Sequence, residues 1–282
     1  MRSFDESTSL CKESEWMVNG NYVFDDTWQA EGARIHSLEA ALDPGTIRHL
    51  RDLSIGPGWR CLEVGAGAGS IAAWLCEQVG TGGHVVATDV QTAYLEAFDY
   101  PNLEVLRHDI AAEELPAGQF DLVHVRWTLH WPPTRTEAIR RMVSALRPGG
   151  WLLAEEPDFV PLFHASSPEH FRVVVIAAVR FVEKISGGMD SEYGRRLPAD
   201  LTQAGLVEVQ TEGLAHLIRG AAADSSGATW LRLSIEKVRE ALVESGSVTE
   251  PELDKAVALL GDPGFATLSP LTVAAWGRRP TR

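Results

Sequence analysis

The feature that most constrains the fold of this chain is a regular alternation of strand-like and helix-like segments between residues 60 and 157. Short, largely apolar segments typical of buried strands occur at 60–64, 84–89, 103–109, 120–126 and 151–157. Segments with helical spacing separate most of them, at 70–80, 92–98 and 135–146. This alternation predicts an α/β fold in which helices cover both faces of a parallel sheet.

The flanking segments add mainly helices. One helix is predicted to start at Asp43–Pro44, with Asp43 as the N-cap and Pro44 in the first turn. Two helical insertions interrupt the sheet later in the chain, and a final strand is predicted over 271–279. We therefore expect an N-terminal helical lid (1–55), a cofactor-binding core (56–158), a helical insertion (159–194), a continuation of the core (195–222), a second helical insertion (223–262) and a final core strand (263–282).

The negative net charge of the chain argues against some classes of binding partner. The 282 residues include 25 Lys and Arg against 39 Asp and Glu, a formal net charge of −14. Such a chain repels nucleic acids and anionic membranes at long range, so neither is expected as a partner. The sequence shows no signal peptide and no apolar run of about 20 residues, which predicts a cytoplasmic protein. Three scattered cysteines give no disulfide framework, no metal site is expected, and homodimer formation stays open.

The segment CLEVGAGAGS, residues 61–70, carries the first sign of a ligand. It predicts a buried strand that runs into a glycine loop and then a helix, an arrangement that holds nucleotide-like cofactors. The spacing Gly65-x-Gly67-x-Gly69 places Ser70 where a dinucleotide fingerprint has its third small residue. No Lys follows the loop, which excludes a P-loop.

Acidic residues at three successive strand ends favour one cofactor. Glu63 lies two residues before the loop, where a carboxylate repels a pyrophosphate but attracts an ammonium group. Asp89 and Asp109 end the next two strands, where they can accept ribose hydroxyl groups and an adenine amino hydrogen. S-adenosylmethionine has all these groups and no phosphate, and the N–H groups of the loop are expected to bind its carboxylate.

These motifs resemble those of class I S-adenosylmethionine-dependent methyltransferases that act on small molecules. The resemblance covers about residues 58–158, through LEVGAGAGS, VVATD, RHDI, FDLVHVRWTLHW and ALRPGGWLLAEEPD, and LTVAAWGRR resembles that family's last, antiparallel strand. It implies a Rossmann-like, seven-stranded, mostly parallel sheet with helical lid insertions, and S-adenosylhomocysteine as the product. The cofactor-binding residues that we expect are Glu63, Gly65, Ala66, Gly67, Gly69, Ser70, Asp89, Val90, Asp109, Ile110, Arg126 and Trp127.

The chemistry of methyl transfer suggests further residues. The acceptor must be aligned with the sulfonium methyl group in the absence of water, and a hydroxyl acceptor also needs a base. His130, after the fourth strand, and Glu156, at the end of the fifth, are the expected catalytic residues. Residues on or near the lids are expected to contact the acceptor: Tyr22, Trp28, Trp131, His164 and Tyr193.

The sequence thus predicts a methyltransferase acting on an O or N atom of a small, hydrophobic or aromatic metabolite, for example in natural-product biosynthesis. Two alternatives stay open. One is an enzyme that binds S-adenosylmethionine but catalyses a rearrangement, cyclisation or decarboxylation. The other, with less support, is an NAD-dependent oxidoreductase.

Overall fold

A computed structural model of the chain describes Phe24, residues 28–220 and residues 225–281. The strands are β1 (Arg60–Val64), β2 (His84–Asp89), β3 (Leu103–Arg107), β4 (Phe120–Arg126), β5 (Leu146–Asp158), β6 (Val207–Leu214), β7 (Leu217–Arg219), β8 (Ala266–Leu268) and β9 (Leu271–Arg278). The helices are α1 (Glu31–Asp52), α2 (Ser70–Val79), α3 (Arg135–Ala145), α4 (Val160–Phe163), α5 (Glu169–Ser186), α6 (Leu197–Gln203), α7 (Ser226–Lys237), α8 (Arg239–Glu244) and α9 (Glu250–Leu259). Two short 3₁₀ helices lie at Leu95–Ala97 and Tyr193–Arg196.

Seven of the strands form one sheet, in the order β3-β2-β1-β4-β5-β9-β6. Strands β1 to β5 pair in parallel, and β9 is antiparallel to both β5 and β6. The predicted seven-stranded, mostly parallel α/β architecture is therefore confirmed. The strand order reverses between β1 and β4, and ligands of open α/β sheets bind at the carboxyl ends of the strands beside such a reversal.

The two faces of the sheet carry separate cores because successive side chains of a strand point to opposite faces. Leu62 and Val64 of β1 pack in a cluster that includes Ile139 of α3 and Leu201 of α6. Cys61 of the same strand packs in a second cluster, with residues of α1 and α2. Each fully buried apolar side chain contributes about 1.5–3 kcal/mol, so helices on both faces are held mainly by apolar burial.

The late helices share a third core with one another. Residues of α4, α5, α7, α8 and α9 form this cluster, with Phe171 of α5 and Leu253 of α9 among its fully buried members. Helix α1 lies against α7, so this helical layer continues over the carboxyl ends of the sheet. None of the described helices has the length and apolar composition needed to cross a membrane.

Two local predictions are wrong. No helix starts at Asp43, because α1 runs without interruption through Pro44, and the Asp43 carboxylate accepts hydrogen bonds from Arg126 and Ser70, both at 2.9 Å. The segment 92–98 forms only the 3₁₀ turn Leu95–Ala97. A helix of seven residues is marginal by itself, and Pro101 prevents its continuation.

Candidate functional site

A cavity of about 810 Å³ lies at the carboxyl ends of β1, β2, β3 and β4, beneath one face of α1. It sits at the reversal of strand order, where the topology predicts a ligand. Ten of the twelve expected cofactor-binding positions line this cavity. Gly69 and Ser70 do not, since Gly69 faces Phe98 and the Ser70 hydroxyl donates to Asp43.

In the glycine loop between β1 and α2, the neighbouring residues leave no room for a side chain at Gly65 or at Gly67. Gly65 and Gly67 have φ values of 68° and 60°. A Cβ atom on Gly65 would lie 2.1 Å from Thr128 Oγ1, and one on Gly67 would lie 2.9 Å from Ile35 Cδ1. Glycine at these positions lets the backbone form the cavity wall, and this fits a ligand that approaches the loop as closely as S-adenosylmethionine would.

The N–H groups of this loop already have partners within the chain. Thr88 O accepts from Gly65 and Ala66, and the Asp89 carboxylate accepts from Gly67 at 2.9 Å. A further carboxylate, that of Glu39, accepts from Ala68 and Ser70 at 3.0 and 3.4 Å. In this structure protein oxygens therefore occupy these N–H groups, and their binding to the carboxylate of the cofactor stays a prediction.

Asp89 and Asp109 follow neighbouring strands and face the same cavity. Asp89 accepts N–H groups from Gly67 and Gln91 at 2.9 and 3.0 Å, and Asp109 accepts that of Ala111 at 2.8 Å. Burial raises the pKa of Asp89, and the N–H groups of Gln91 and Gly67 oppose this rise. Backbone donors thus fix both carboxylates at the cavity wall, beside the buried Ile110.

The carboxylate of Glu63 begins a buried chain of alternating acidic and histidine side chains. Strand register places Glu63 of β1 beside His124 of β4, whose Nδ1 lies 2.6 Å from Glu63 Oε2. His124 Nε2 lies 3.4 Å from Glu155 Oε2 on β5. His49 of α1 then connects Glu155 to Glu212, at 2.9 and 2.7 Å. We call these five residues the buried charge chain.

The electrostatics of this chain favour a charged histidine at its centre. Burial by itself lowers the pKa of His124, but the charge of Glu63 and the hydrogen bond of Glu155 outweigh it and raise the pKa to about 9. Burial by itself raises the pKa of Glu155, but hydrogen bonds from His124 and His49 hold it well below its usual range. Near neutral pH, His124 is therefore an imidazolium between two carboxylates, and it balances much of the charge of Glu63.

A second histidine–glutamate pair lies on the opposite face of β5. Glu156 is completely buried, and its carboxylate accepts N–H groups from Thr128, Leu129 and His130 at 2.8–3.1 Å. Its Oε2 also accepts a hydrogen bond from His130 Nδ1 at 2.9 Å. Since Nδ1 donates to a carboxylate, the lone pair of the neutral ring is on Nε2. No described residue forms a hydrogen bond with Nε2, so that atom is free to act on a ligand.

His130 belongs to the wall of a smaller, apolar chamber of about 80 Å³ next to the large cavity. Four residues line both spaces and therefore lie at their junction: Trp127, Trp131, Leu38 and Arg34. The aromatic rings of Phe159 and Trp230 complete the chamber, with ring centroids 5.9 and 5.4 Å from that of Trp127. Such a wall suits a flat, apolar molecule whose reactive atom points toward the large cavity.

Several residues expected to contact the acceptor lie elsewhere. Tyr22 lies outside the described residues. Trp28 lines neither space, and its ring lies 5.3 Å from Lys237 Nζ. His164 is exposed at the end of α4, and Tyr193 is completely buried with its hydroxyl donating to Asp200 at 3.0 Å. Among the four described residues of this group, only Trp131 lines the chamber.

Three charged residues near the cavity are not predicted from the sequence: His124, His49 and Glu39. His124 carried a weak signal, since a histidine is unusual within the otherwise buried apolar strand of residues 120–126. His49 and Glu39 had no comparable signal, because both lie on a helix whose position over the sheet depends on tertiary packing.

The part of the chain that contains the glycine loop is similar to known proteins. Residues 62–154 match a family model described as a methyltransferase domain. This segment includes most of β1, all of β2, β3 and β4, and much of β5 of the seven-stranded sheet. Together with the methyltransferase relatives, this match supports a class I S-adenosylmethionine-dependent methyltransferase domain in this part of the chain. This domain accounts for the glycine loop and for the strand ends that line the large cavity.

Curated relatives of this methyltransferase domain match part of the chain. Methyltransferase str2 of Strobilurus tenacellus is 26% identical over 178 residues, which cover 60% of this chain and 61% of that protein. The ubiquinone/menaquinone biosynthesis C-methyltransferase UbiE of Vibrio vulnificus (strain YJ016) is 29% identical over 117 residues, 38% of this chain and 45% of that protein. These matches span less than two thirds of either relative.

Solved methyltransferase structures share the fold. Phosphoethanolamine N-methyltransferase 2 of Haemonchus contortus, in complex with S-adenosyl-L-methionine, aligns with a TM-score of 0.50 and 17% identity. The alignment covers 82% of this chain and 52% of that chain. At this identity the likeness concerns the fold alone.

Proposed function

We propose that this protein transfers a methyl group from S-adenosylmethionine to an O or N atom of a small, hydrophobic or aromatic metabolite. The observation that carries the proposal is the junction of two unlike spaces at Trp127 and Trp131. On one side lies an acidic cavity with a glycine loop, and on the other an apolar chamber with an unpartnered His130 nitrogen. Methyl transfer requires such a junction, since a cationic donor and an apolar acceptor must meet there.

The acidic cavity suits the chemistry of the cofactor. Its wall includes the carboxylates of Glu63, Asp89 and Asp109, which complement ammonium, ribose hydroxyl and adenine amino groups respectively. Ile110 would pack against the adenine ring, and Trp127 offers an aromatic face near the sulfonium. When bound, S-adenosylmethionine supplies the electrophilic methyl group. The residues of this chain orient the reactants, exclude water and manage the acceptor proton.

His130 is the residue that we propose as the base for the acceptor. Its Nε2 carries the lone pair because Nδ1 donates its proton to Glu156, and among the described residues none forms a hydrogen bond with Nε2. His130 lines the apolar chamber in which the acceptor would sit. A hydroxyl seated there would give its proton to Nε2 as the methyl bond forms, and a neutral amine would give one up after the bond has formed. Glu156 fixes the ring and stabilises the imidazolium that results.

Direct binding measurements test the cofactor part of the proposal. Isothermal titration calorimetry should detect binding of S-adenosylmethionine and S-adenosylhomocysteine well below millimolar concentration. Asp89→Ala should weaken both by at least about tenfold, equivalent to 1.4 kcal/mol, because the ribose hydroxyls lose their acceptor. The absence of binding to the wild-type protein would refute the proposed function.

A product assay tests the reaction itself. The protein is incubated with S-adenosylmethionine and a panel of phenols, aryl alcohols, aryl amines and carbon nucleophiles of similar size. Mass spectrometry should find one acceptor that gains a CH₂ unit, together with an equal amount of S-adenosylhomocysteine. A rearranged or decarboxylated product with unconsumed S-adenosylmethionine would instead favour the non-methylating alternative.

A further inference from the structure

We propose that Glu39 of α1 makes the main contact with the ammonium group of S-adenosylmethionine, and that Glu63 contributes less to it. This inference rests on the proposed function, because it assigns a binding residue to the same cofactor. Glu39 comes from the N-terminal helix, outside the strand-end motifs through which the cofactor-binding residues were predicted.

Glu39 is placed directly over the glycine loop. Its side chain is 7% exposed and lines the large cavity. The close approach of α1 is visible at Gly67, where an added Cβ would meet Ile35 at 2.9 Å and Glu39 Oε1 at 3.6 Å. The carboxylate therefore sits at the end of the cavity that the loop forms, where the amino-acid portion of the cofactor is expected.

The two oxygens of Glu39 have different surroundings. Oε1 accepts two hydrogen bonds from backbone N–H groups, that of Ala68 at 3.0 Å and that of Ser70 at 3.4 Å. No described residue donates a hydrogen bond to Oε2. The loop thus holds the carboxylate in place through one oxygen and leaves the other available to a donor in the cavity, as an ammonium group would be.

The charge of Glu39 is also less well balanced than that of Glu63. Among the described residues, no Arg, Lys or His forms an ion pair with Glu39, whereas His124 pairs directly with Glu63. Burial raises the pKa of Glu39, although the more distant charge of Arg126 opposes this rise. A buried carboxylate without a paired cation is costly, and a bound ammonium group would remove that cost.

Two opposite roles of Glu39 can be distinguished by experiment: it binds the ammonium group, or it competes with the cofactor carboxylate for the loop N–H groups. If Glu39 merely occupied loop donors that the cofactor carboxylate needs, its removal would strengthen binding. If it binds the ammonium, its removal weakens binding only of ligands that carry this group. The sign of the change therefore decides between the two roles.

A thermodynamic cycle tests the proposal. Dissociation constants of S-adenosylhomocysteine and of its analogue without the amino group are measured for the wild type, Glu39→Gln and Glu63→Gln. In the wild type, loss of the amino group should weaken binding at least about tenfold. In Glu39→Gln this difference should fall to about twofold or less, and in Glu63→Gln most of it should remain.

Matched measurements keep the test decisive. Glu113→Gln removes one charge from an exposed residue at the cavity wall and should retain the full difference between the two ligands. Methylthioadenosine, which lacks the amino-acid portion, should bind Glu39→Gln as it binds the wild type and so reports an intact site. If Glu39→Gln does not fold, Glu39→Asp keeps the charge and provides the comparison, with an intermediate loss expected from its shorter reach.

A full difference between the two ligands in Glu39→Gln, or tighter binding of S-adenosylhomocysteine by that variant, would overturn the proposal. Binding of S-adenosylmethionine by the wild type would still stand in that case. The failure of this inference is therefore distinguishable from the failure of the proposed function.

Discussion

Glu155 and Glu156 are neighbours on β5, and each pairs with a histidine, yet the two pairs differ in almost every other respect. Glu155 faces α1 and contacts His124, which a second carboxylate also contacts through its other nitrogen. Glu156 faces the other side of the sheet and contacts His130, which lines an apolar chamber and whose second nitrogen has no hydrogen-bond partner among the described residues. Both carboxylates are almost completely buried.

The difference lies in what occupies the second ring nitrogen. With carboxylates on both nitrogens, the imidazolium form of His124 is favoured, and the ring has no lone pair to offer. With one carboxylate and an open Nε2, His130 can exchange a proton with a ligand. The same two residue types thus give a structural ion pair on one face and a candidate base on the other.

The largest effect is expected at the candidate base. His130→Ala should lower kcat for methyl transfer to an acidic acceptor by about 10²–10⁴-fold, the usual contribution of a positioned base. Affinity for S-adenosylmethionine should change little, because His130 does not line the large cavity. The control is His164→Ala, at an exposed position outside both spaces. If steady-state kinetics show an unchanged kcat for His130→Ala, His130 is not the base.

The structural pair should appear in stability instead. His124→Gln leaves Glu63 and Glu155 buried without the imidazolium, and loss of one partner in a buried pair costs about 3–5 kcal/mol. Urea unfolding measures this loss against His84→Gln, which breaks the exposed pair with Glu104 and should cost less than about 1 kcal/mol. Equal losses for the two variants would contradict the view of His124 as the centre of the buried charge chain.

The pH dependence of that stability has a definite sign. The folded pKa of His124, about 9, is above its ordinary value of 6.5, so folding favours the protonated ring. The contribution is complete below about pH 6.5 and is lost as the pH rises through about 9. The difference in unfolding free energy between wild type and His124→Gln should therefore be smaller at pH 9.5 than at pH 6. A difference that grows with pH would show that the ring is neutral in the folded protein.

A smaller effect is expected where the two sites touch. Gly65, in the loop beside Glu63, packs against Thr128, whose N–H donates to Glu156. Gly65→Ala should cost about 1–3 kcal/mol more than Gly80→Ala and should also weaken cofactor binding. Gly80 is the matched control, since it has a similar φ of 63° but no atom within 4 Å of an added Cβ. Thermal unfolding measures the stability of the two variants, and calorimetry measures their affinity for the cofactor. Equal values for both variants would contradict the close packing of Gly65 against Thr128.

The smallest effect is expected at the solvent end of the buried charge chain. The Glu212 side chain is 42% exposed and also pairs with Arg48, so water screens its interactions. Glu212→Gln should change the unfolding free energy by less than about 1 kcal/mol, whereas Glu155→Gln should cost several times more. A large effect of Glu212→Gln in urea unfolding would mean that the whole chain acts as one unit.

The sequence by itself determined the order of strands and helices in the core and the ligand edge of the sheet. Local patterns suffice for this, because apolar periodicity and the glycine loop specify the five parallel strands and most of the helices between them. The same locality explains why Asp89 and Asp109 were predicted to face the ligand edge, where both line the large cavity, since each ends a predicted strand. The continuity of α1 through Pro44 was not found, because packing against the sheet and α7 outweighs the local cost of proline.

Only the tertiary structure decided which charged groups meet. Glu63 and His124 are 61 positions apart and pair because β1 and β4 align in register. Glu39 accepts a hydrogen bond from Ala68, 29 positions away, because α1 lies over the loop. Glu155 and Glu156 have different partners because successive side chains of a strand point to opposite faces of the sheet. Burial and partner choice set the charge of each group, and both depend on contacts between segments that are distant in the chain.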